Sequence, residues 1–167
     1  MLDHIIAHSS RVRDVATFIA EKLKGHRINL NLDLIRASAM LHDVTKTRSI
    51  TTGERHASTG ARLLKTLGYP EVGSIVGQHV LLENYDVNES PSEADIVNYS
   101  DKRVLHADVV TLNERMTYIM DRYGNNEIER DRIRTLREYT NILEAKIFSY
   151  LHFNPDDLVG FFNGKPH

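Results

Sequence analysis

The side chains able to do chemistry in this chain are imidazoles and carboxylates. It carries nine histidines in 167 residues and no cysteine. That inventory excludes disulfides, thiolate zinc sites, cysteine-ligated iron–sulfur clusters and cysteine nucleophiles together. His42 is followed directly by Asp43, and Lys46 comes three residues after that aspartate. Five groups, His42 among them, fall on helical stripes of apolar residues. His8 sits on the stripe Ile5, Val12, Val15, Ile19 and Leu23, and His42 continues Leu34, Ile35, Ser38 and Leu41. His56 aligns with Gly60, Leu63, Leu64 and Leu67; His79 aligns with Val72, Ile75 and Val76; Asp101 aligns with Ala94, Val97 and Val104. Burying one polar group without a partner costs roughly a few kcal/mol, and an unpaired carboxylate far more. Repeated over five or six groups, that cost would consume most of the ~5–15 kcal/mol by which a domain is stable. The groups must therefore satisfy each other or share a cation. Four neutral imidazoles and two carboxylates make a nitrogen and oxygen shell suited to Fe, Mn, Co, Ni or Zn, with Fe or Mn favoured. His4, His26, His106, His152 and His167 read as ordinary surface or hydrogen-bonded histidines.

The elements that must hold these groups are helices. Only four prolines and nine glycines punctuate the chain, and no segment alternates apolar and polar residues long enough to argue for a sheet. The 3.6-residue period predicts helices over 3–24, 33–44, 56–68, 72–82, 92–106, 112–123 and 127–153. Pro155, Asp156 and Asp157 open a last short one, because proline and carboxylates suit a first turn. The stretch 84–91 reads as a polar loop. The expected architecture is thus all-α, a single-domain bundle of about seven to eight helices. It spans 1–162, with the ligand-bearing core in 4–106, C-terminal helices in 111–162 and a frayed tail over 163–167.

Composition narrows the partners. Hydrophobic residues make up 41% and charged residues 26%, with 21 basic against 23 acidic side chains. That balance fits a globular domain and gives no reason to expect nucleic acid. No apolar run approaches the ~18 residues of a membrane span. The first residues lack a cleavable apolar stretch, so a cytoplasmic location and no membrane partner are expected. The apolar stripe of the long helix over 127–153 allows a monomer or a homodimer.

The spacing of these anchors resembles the HD superfamily of metal-dependent phosphohydrolases. His8-Ser9-Ser10-Arg11-Val12 resembles its first-ligand helix, and Ala39-Met40-Leu41-His42-Asp43-Val44-Thr45-Lys46 its signature helix end. Asn98-Tyr99-Ser100-Asp101-Lys102-Arg103-Val104 resembles the segment bearing the last aspartate. The family's isoleucine-glycine after the signature aspartate is replaced here by Val44-Thr45. His56 and His79 stand where the binuclear branch carries extra histidines. The resemblance implies an HD-type fold and one metal held by His8, His42, Asp43 and Asp101. It implies a second metal on His56 and His79, with Asp43 bridging. Gly68-Tyr69-Pro70 spells a motif of cyclic-dinucleotide phosphodiesterases, but its position before the fourth helix makes it a helix stop.

Two divalent ions ~3.5–4 Å apart would clamp a bridging water and acidify it for attack on phosphorus. The expected activity is hydrolysis of a small phosphorylated molecule, a nucleotide or related phosphomonoester. Asp43 is then the bridging catalytic ligand and Lys46 the best cation for the developing charge. Arg103 is kept by the resemblance as a phosphate candidate, although it lies about 200° around its helix from Asp101. Arg48 and Arg55 fall in a Thr/Ser-rich loop suited to a lid, and Glu83, four residues past His79, is a further candidate whose role stays open. Two other readings stand beside this one: a di-iron oxygenase using the same ligands, and a nucleotide-sensing module that turns nothing over.

Overall fold

The apolar period at the start of the chain becomes a helix of 22 residues, α1, Asp3–Lys24. Asp3 in its first turn and Lys22 and Lys24 in its last complement the helix dipole. Its inward face, Ile5, Val12, Val15, Ala16, Ile19, Ala20 and Leu23, is buried from end to end. The computed structural model describes residues 1–83 and 85–164. After α1 come α2 (Leu32–Leu41), α3 (Lys46–Thr52), α4 (His56–Thr66), α5 (Pro70–Gly77) and α6 (Glu93–Lys102). A minimal hairpin follows, β1 (Val104–Leu105) and β2 (Asp108–Val109), then α7 (Leu112–Tyr123), α8 (Glu127–Phe148) and α9 (Asp157–Asn163). The chain is predominantly helical, as its periodicity predicts. Among the described residues no helix is long and apolar enough to cross a membrane.

α1 is the spine. It packs on α2 and α6, α4 packs on α5, and α7 packs on α8. Val12, Ile19, Ile35, Ile96, Val97 and Ile147 meet in one core, closed at the far end by Leu158 of α9. Phe18, Phe153, Phe161 and Phe162 form an edge-to-face and tilted aromatic cluster with ring centres 5.4–5.9 Å apart, which seats α9.

Several local expectations are corrected. The segment expected to be a lid loop forms α3, stopped by Gly53 at φ 73°, whose N–H donates to the Ser49 carbonyl. Side-chain hydroxyls hold this short helix: Ser49 donates to the Lys46 carbonyl and Thr52 to that of Arg48. α5 ends at Gly77, so His79 stands beyond the helix rather than on it. α6 ends at Lys102, where the chain turns into the hairpin that pairs Val104 with Val109. A two-residue strand pair is too short to leave an alternating pattern in the sequence. On α4 the predicted stripe is only partly inward, since Leu63 and Leu67 are exposed. Asn163, assigned to a frayed tail, instead closes α9 and pairs with both backbone groups of Val109. Residues 165–167 of that tail, and Asn84 of the polar loop, lie outside the described residues.

Candidate metal centre

Two of the imidazoles are aimed by the ends of their own helices and a third by the hairpin turn. The last four carbonyls of a helix have no partner within it. His42, at the C-terminus of α2, places Nδ1 2.7 Å from the Ala39 carbonyl, and His79, just past α5, places Nδ1 2.7 Å from that of Val76. His8, in the middle of α1, places Nδ1 3.0 Å from the His106 carbonyl at the hairpin turn. His106 has φ 56°, a left-handed turn residue, and Arg11 secures the same turn by donating to the Ala107 carbonyl. A carbonyl oxygen can only accept, so each Nδ1 carries the proton and each Nε2 keeps a bare lone pair. Each of the three lone pairs faces a carboxylate of Asp43 or Asp101.

His8 Nε2 lies 3.1 Å from Asp101 Oδ1. His42 Nε2 lies 3.6 Å from Asp101 Oδ1 and 3.6 Å from Asp43 Oδ2. On the other side of Asp43, Oδ1 is 3.2 Å from His56 Nε2 and 3.7 Å from His79 Nε2. The two imidazoles of this second group are 3.1 Å apart at Nε2. Two ligand triads result, His8–His42–Asp43 and Asp43–His56–His79, and they share Asp43. Both His42 Nε2 and Asp43 Oδ1 are buried without a hydrogen-bond partner. Acceptors facing acceptors in a buried space repel unless a cation lies between them. The donor set therefore fits divalent metal.

Electrostatics agrees with that reading. Burial pushes the His79 imidazole down to about 3, with nearby His42 adding to the effect. Burial also lowers His42, against the pull of Asp101 and Asp43. His56 is lowered by burial and then by the Lys46 ammonium. These three rings are neutral at pH 7, the form that binds metal. For Asp101, burial alone would raise the carboxyl, but the adjacent Lys102 ammonium outweighs it and holds the group well below its usual range. Asp101 also sits at the negative end of α6, so a compensating positive charge is needed there.

The cleft has a volume of about 330 Å³. His8, Asp43, Lys46, His56, His79 and Asp101 all line it, while His42 lies behind them, fully buried. Lys46, at the start of α3, holds Nζ 3.4 Å from His56 Nε2 and 4.0 Å from Asp43 Oδ1. Arg103 is elsewhere. Its side chain is fully buried, with Nη1 donating to Tyr99 Oη and Glu144, Nε to the Val110 carbonyl, and Nη2 to that of Pro155. It ties α6, the hairpin, α8 and the approach to α9 together, and its assignment as a phosphate group is corrected to a structural one. Arg48 pairs with Glu54 on the surface, and Arg55 and Glu83 are exposed outside the cleft lining.

Sequence reasoning missed the opposite wall. Val80, Lys102, Arg115, Ile119, Tyr123 and Leu136 complete the cleft. Lys102 is buried, donating to Asp101 Oδ2 at 3.1 Å and to the His79 carbonyl. Burial lowers its ammonium; Asp101 raises it and Arg115 lowers it further. Arg115, Ile119 and Tyr123 recur every fourth residue on α7, a period visible in the sequence. Nothing in that period says which side of α7 meets the cleft.

The comparisons with known proteins follow the same ground. The profile of the HD domain family matches residues 5–126, a stretch that contains every group of the two triads. An uncharacterized protein of Methanocaldococcus jannaschii is 24% identical over 154 residues, covering 84% of this chain and 90% of that protein. No solved structure matches the chain. With the family profile covering most of its length and the histidine–aspartate couple at the bottom of the cleft, this chain belongs to the HD domain family, whose members are generally metal-dependent hydrolases.

Proposed function

We propose that this protein hydrolyses the phosphate ester of a small organic molecule, a nucleotide or related phosphomonoester, at two divalent cations, with iron or manganese favoured. The observation that carries the reading is His42. Its Nε2 is buried without a partner and faces two carboxylate oxygens, one of Asp43 and one of Asp101, each 3.6 Å away. His8, His42, Asp43 and Asp101 would hold one ion, and Asp43, His56 and His79 the other. Asp43 suits a shared role because its Oδ2 faces His42 while its Oδ1 faces His56 and His79. Bound there, divalent ions supply Lewis acidity towards a phosphoryl oxygen and acidify water for attack on phosphorus.

The chain's own residues do the rest. Neutral imidazoles keep the centre net cationic once it is loaded, which draws a phosphate into the cleft. Lys46 is about one-third exposed and sits at the rim beside Asp43 and His56, placed to neutralise charge that develops on the phosphoryl group. Lys102 holds Asp101 in its ionised form.

Elemental analysis of the purified protein, coupled to a phosphatase screen over nucleotides and sugar phosphates, tests the reading. Asp43→Ala is expected to lose metal and activity together while keeping its helical circular dichroism. His56→Ala combined with His79→Ala is expected to lower metal content to about one ion per chain. Full activity in the Asp43 variant, unchanged metal in the double variant, or a metal-loaded wild type that turns over no phosphate ester would each refute the corresponding claim.

A further inference from the structure

Resting on the phosphohydrolase reading, we propose that Arg115 anchors the substrate's phosphate and that α7 reads the ester's organic part, taking a phosphomonoester with an apolar, ring-bearing alcohol. The first observation is what Arg115 lacks. It lines the metal cleft, yet none of its side-chain nitrogens makes a hydrogen bond or an ion pair among the described residues, and its Nε is buried without a partner. An ordinary surface arginine keeps its nitrogens in water or pairs with a neighbouring carboxylate. The adjacent carboxylate on α7, Glu114, is already committed to both the N–H and the hydroxyl of Thr111.

Charge in the cleft points the same way. Lys102 already accompanies Asp101 at 3.1 Å, so the guanidinium beside it is positive charge in excess of the local carboxylates. A phosphate supplies what is missing. Its oxygens match the guanidinium fork, and a charge-assisted pair of that kind is stronger than a neutral hydrogen bond. The Tyr118 ring, 5.9 Å from the guanidinium carbon, steadies the side chain from outside.

The rest of the wall is apolar. Ile119 and Tyr123 follow Arg115 at intervals of four residues, about 6 Å per step along the helix. Leu136 of α8 and Val80 line the same cleft. A bound ester with its phosphate at Arg115 therefore lays its alcohol along Ile119 towards the half-exposed Tyr123 ring at the mouth. Polar, ring-free alcohols such as glycerol leave that surface uncovered.

The test uses manganese-loaded protein titrated calorimetrically with inorganic phosphate, together with steady-state kinetics on phenyl phosphate and glycerol 3-phosphate. Arg115→Met keeps the apolar stem and removes the charge. It is expected to weaken phosphate about ten- to hundredfold and to raise KM by a similar factor, with metal per chain unchanged. Arg115→Lys is expected to recover part of the loss. Phosphate affinity within twofold of wild type in Arg115→Met, or loss of metal from it, overturns the anchor; if that variant does not fold, Arg115→Gln is read by the same criteria. Tyr123→Ala is expected to raise KM for phenyl phosphate severalfold more than for glycerol 3-phosphate, and an equal change overturns the assignment of the organic part. If the wild type cleaves no ester but phosphate binding still depends on Arg115, the anchor stands and the hydrolase reading falls. If esters are cleaved while phosphate binding is indifferent to Arg115, the hydrolase reading stands and the anchor falls.

Discussion

Three of the four imidazoles of the centre are useful because one nitrogen of each is occupied elsewhere. His42 and His79 satisfy carbonyls left over at the ends of α2 and α5, and His8 satisfies one at the hairpin turn. The hydrogen bond fixes the tautomer and the ring plane, and the free Nε2 follows. Burial of these rings also governs acid stability. The His79 ring takes a proton near 6.5 in the unfolded chain but only at about 3 in the folded one. Between those values the unfolded state binds more protons, so stability is full above about pH 6.5 and is lost as the pH falls towards 3. His42 and His56 are lowered as well and act in the same direction. Asp101 is also held low, but it contributes only below the ordinary carboxylate range. Chelator-treated protein should thus melt several degrees lower at pH 5 than at pH 7, read by circular dichroism. An unchanged melting temperature across that interval would contradict the assignment of these rings as buried and neutral. The inward placement of His8 and His42 was legible from their apolar stripes, whereas Lys102 and Arg115 were not. A cation on a helix looks like a solvated one until its neighbours are known.

At the scale of elements, the centre depends on two close approaches. α4 brings His56 and α5 leads to His79, and the two helices touch at Gly73. A Cβ there would fall 2.7 Å from the Ala61 carbonyl oxygen and 3.0 Å from Lys65 Cγ. Gly73→Ala is expected to cost about 1–3 kcal/mol through overpacking and to weaken metal binding by parting the two histidines. Thermal melts and a metal titration of the same sample check both effects. The second approach is the joint made by Arg103. Its removal leaves Tyr99 and Glu144 without their buried donor and frees the Val110 and Pro155 carbonyls. Arg103→Ala should destabilise by about 3 kcal/mol in denaturant titration. Folded Arg103→Ala should still bind metal, and a selective loss of turnover at full stability would restore a catalytic role to this arginine. The helices themselves were readable, because a 3.6-residue apolar period persists over many residues. The hairpin and α3 were not, being two and seven residues long and held by side-chain hydroxyls or by Arg103 rather than by any period.

For the whole molecule, the centre is a fastener. α1, α2, α4 and α6, and the turn after α5, each contribute one or two groups to the triads and their partner Asp101, so metal bound in the cleft crosslinks elements far apart in the chain. Ligand that binds only the folded state stabilises it by about 2.7 kcal/mol at a hundredfold excess over Kd. Removing metal with a chelator should lower the melting temperature by roughly 5–10 °C, and adding manganese should restore it. An identical melting temperature with and without metal would mean that the triads hold no ion.

The chain alone determined which groups could act and that helices carry them along their faces or at their ends. Local periodicity and the cost of burying polar atoms are properties of neighbouring residues, so His42, Asp43 and their companions stood out without coordinates. Only the tertiary structure decided which oxygen of Asp43 faces which imidazole, that Arg103 belongs to a joint, and that Arg115 faces the cleft. Those facts are distances between residues tens of positions apart, set by how helices dock, and helix docking leaves no period in the sequence.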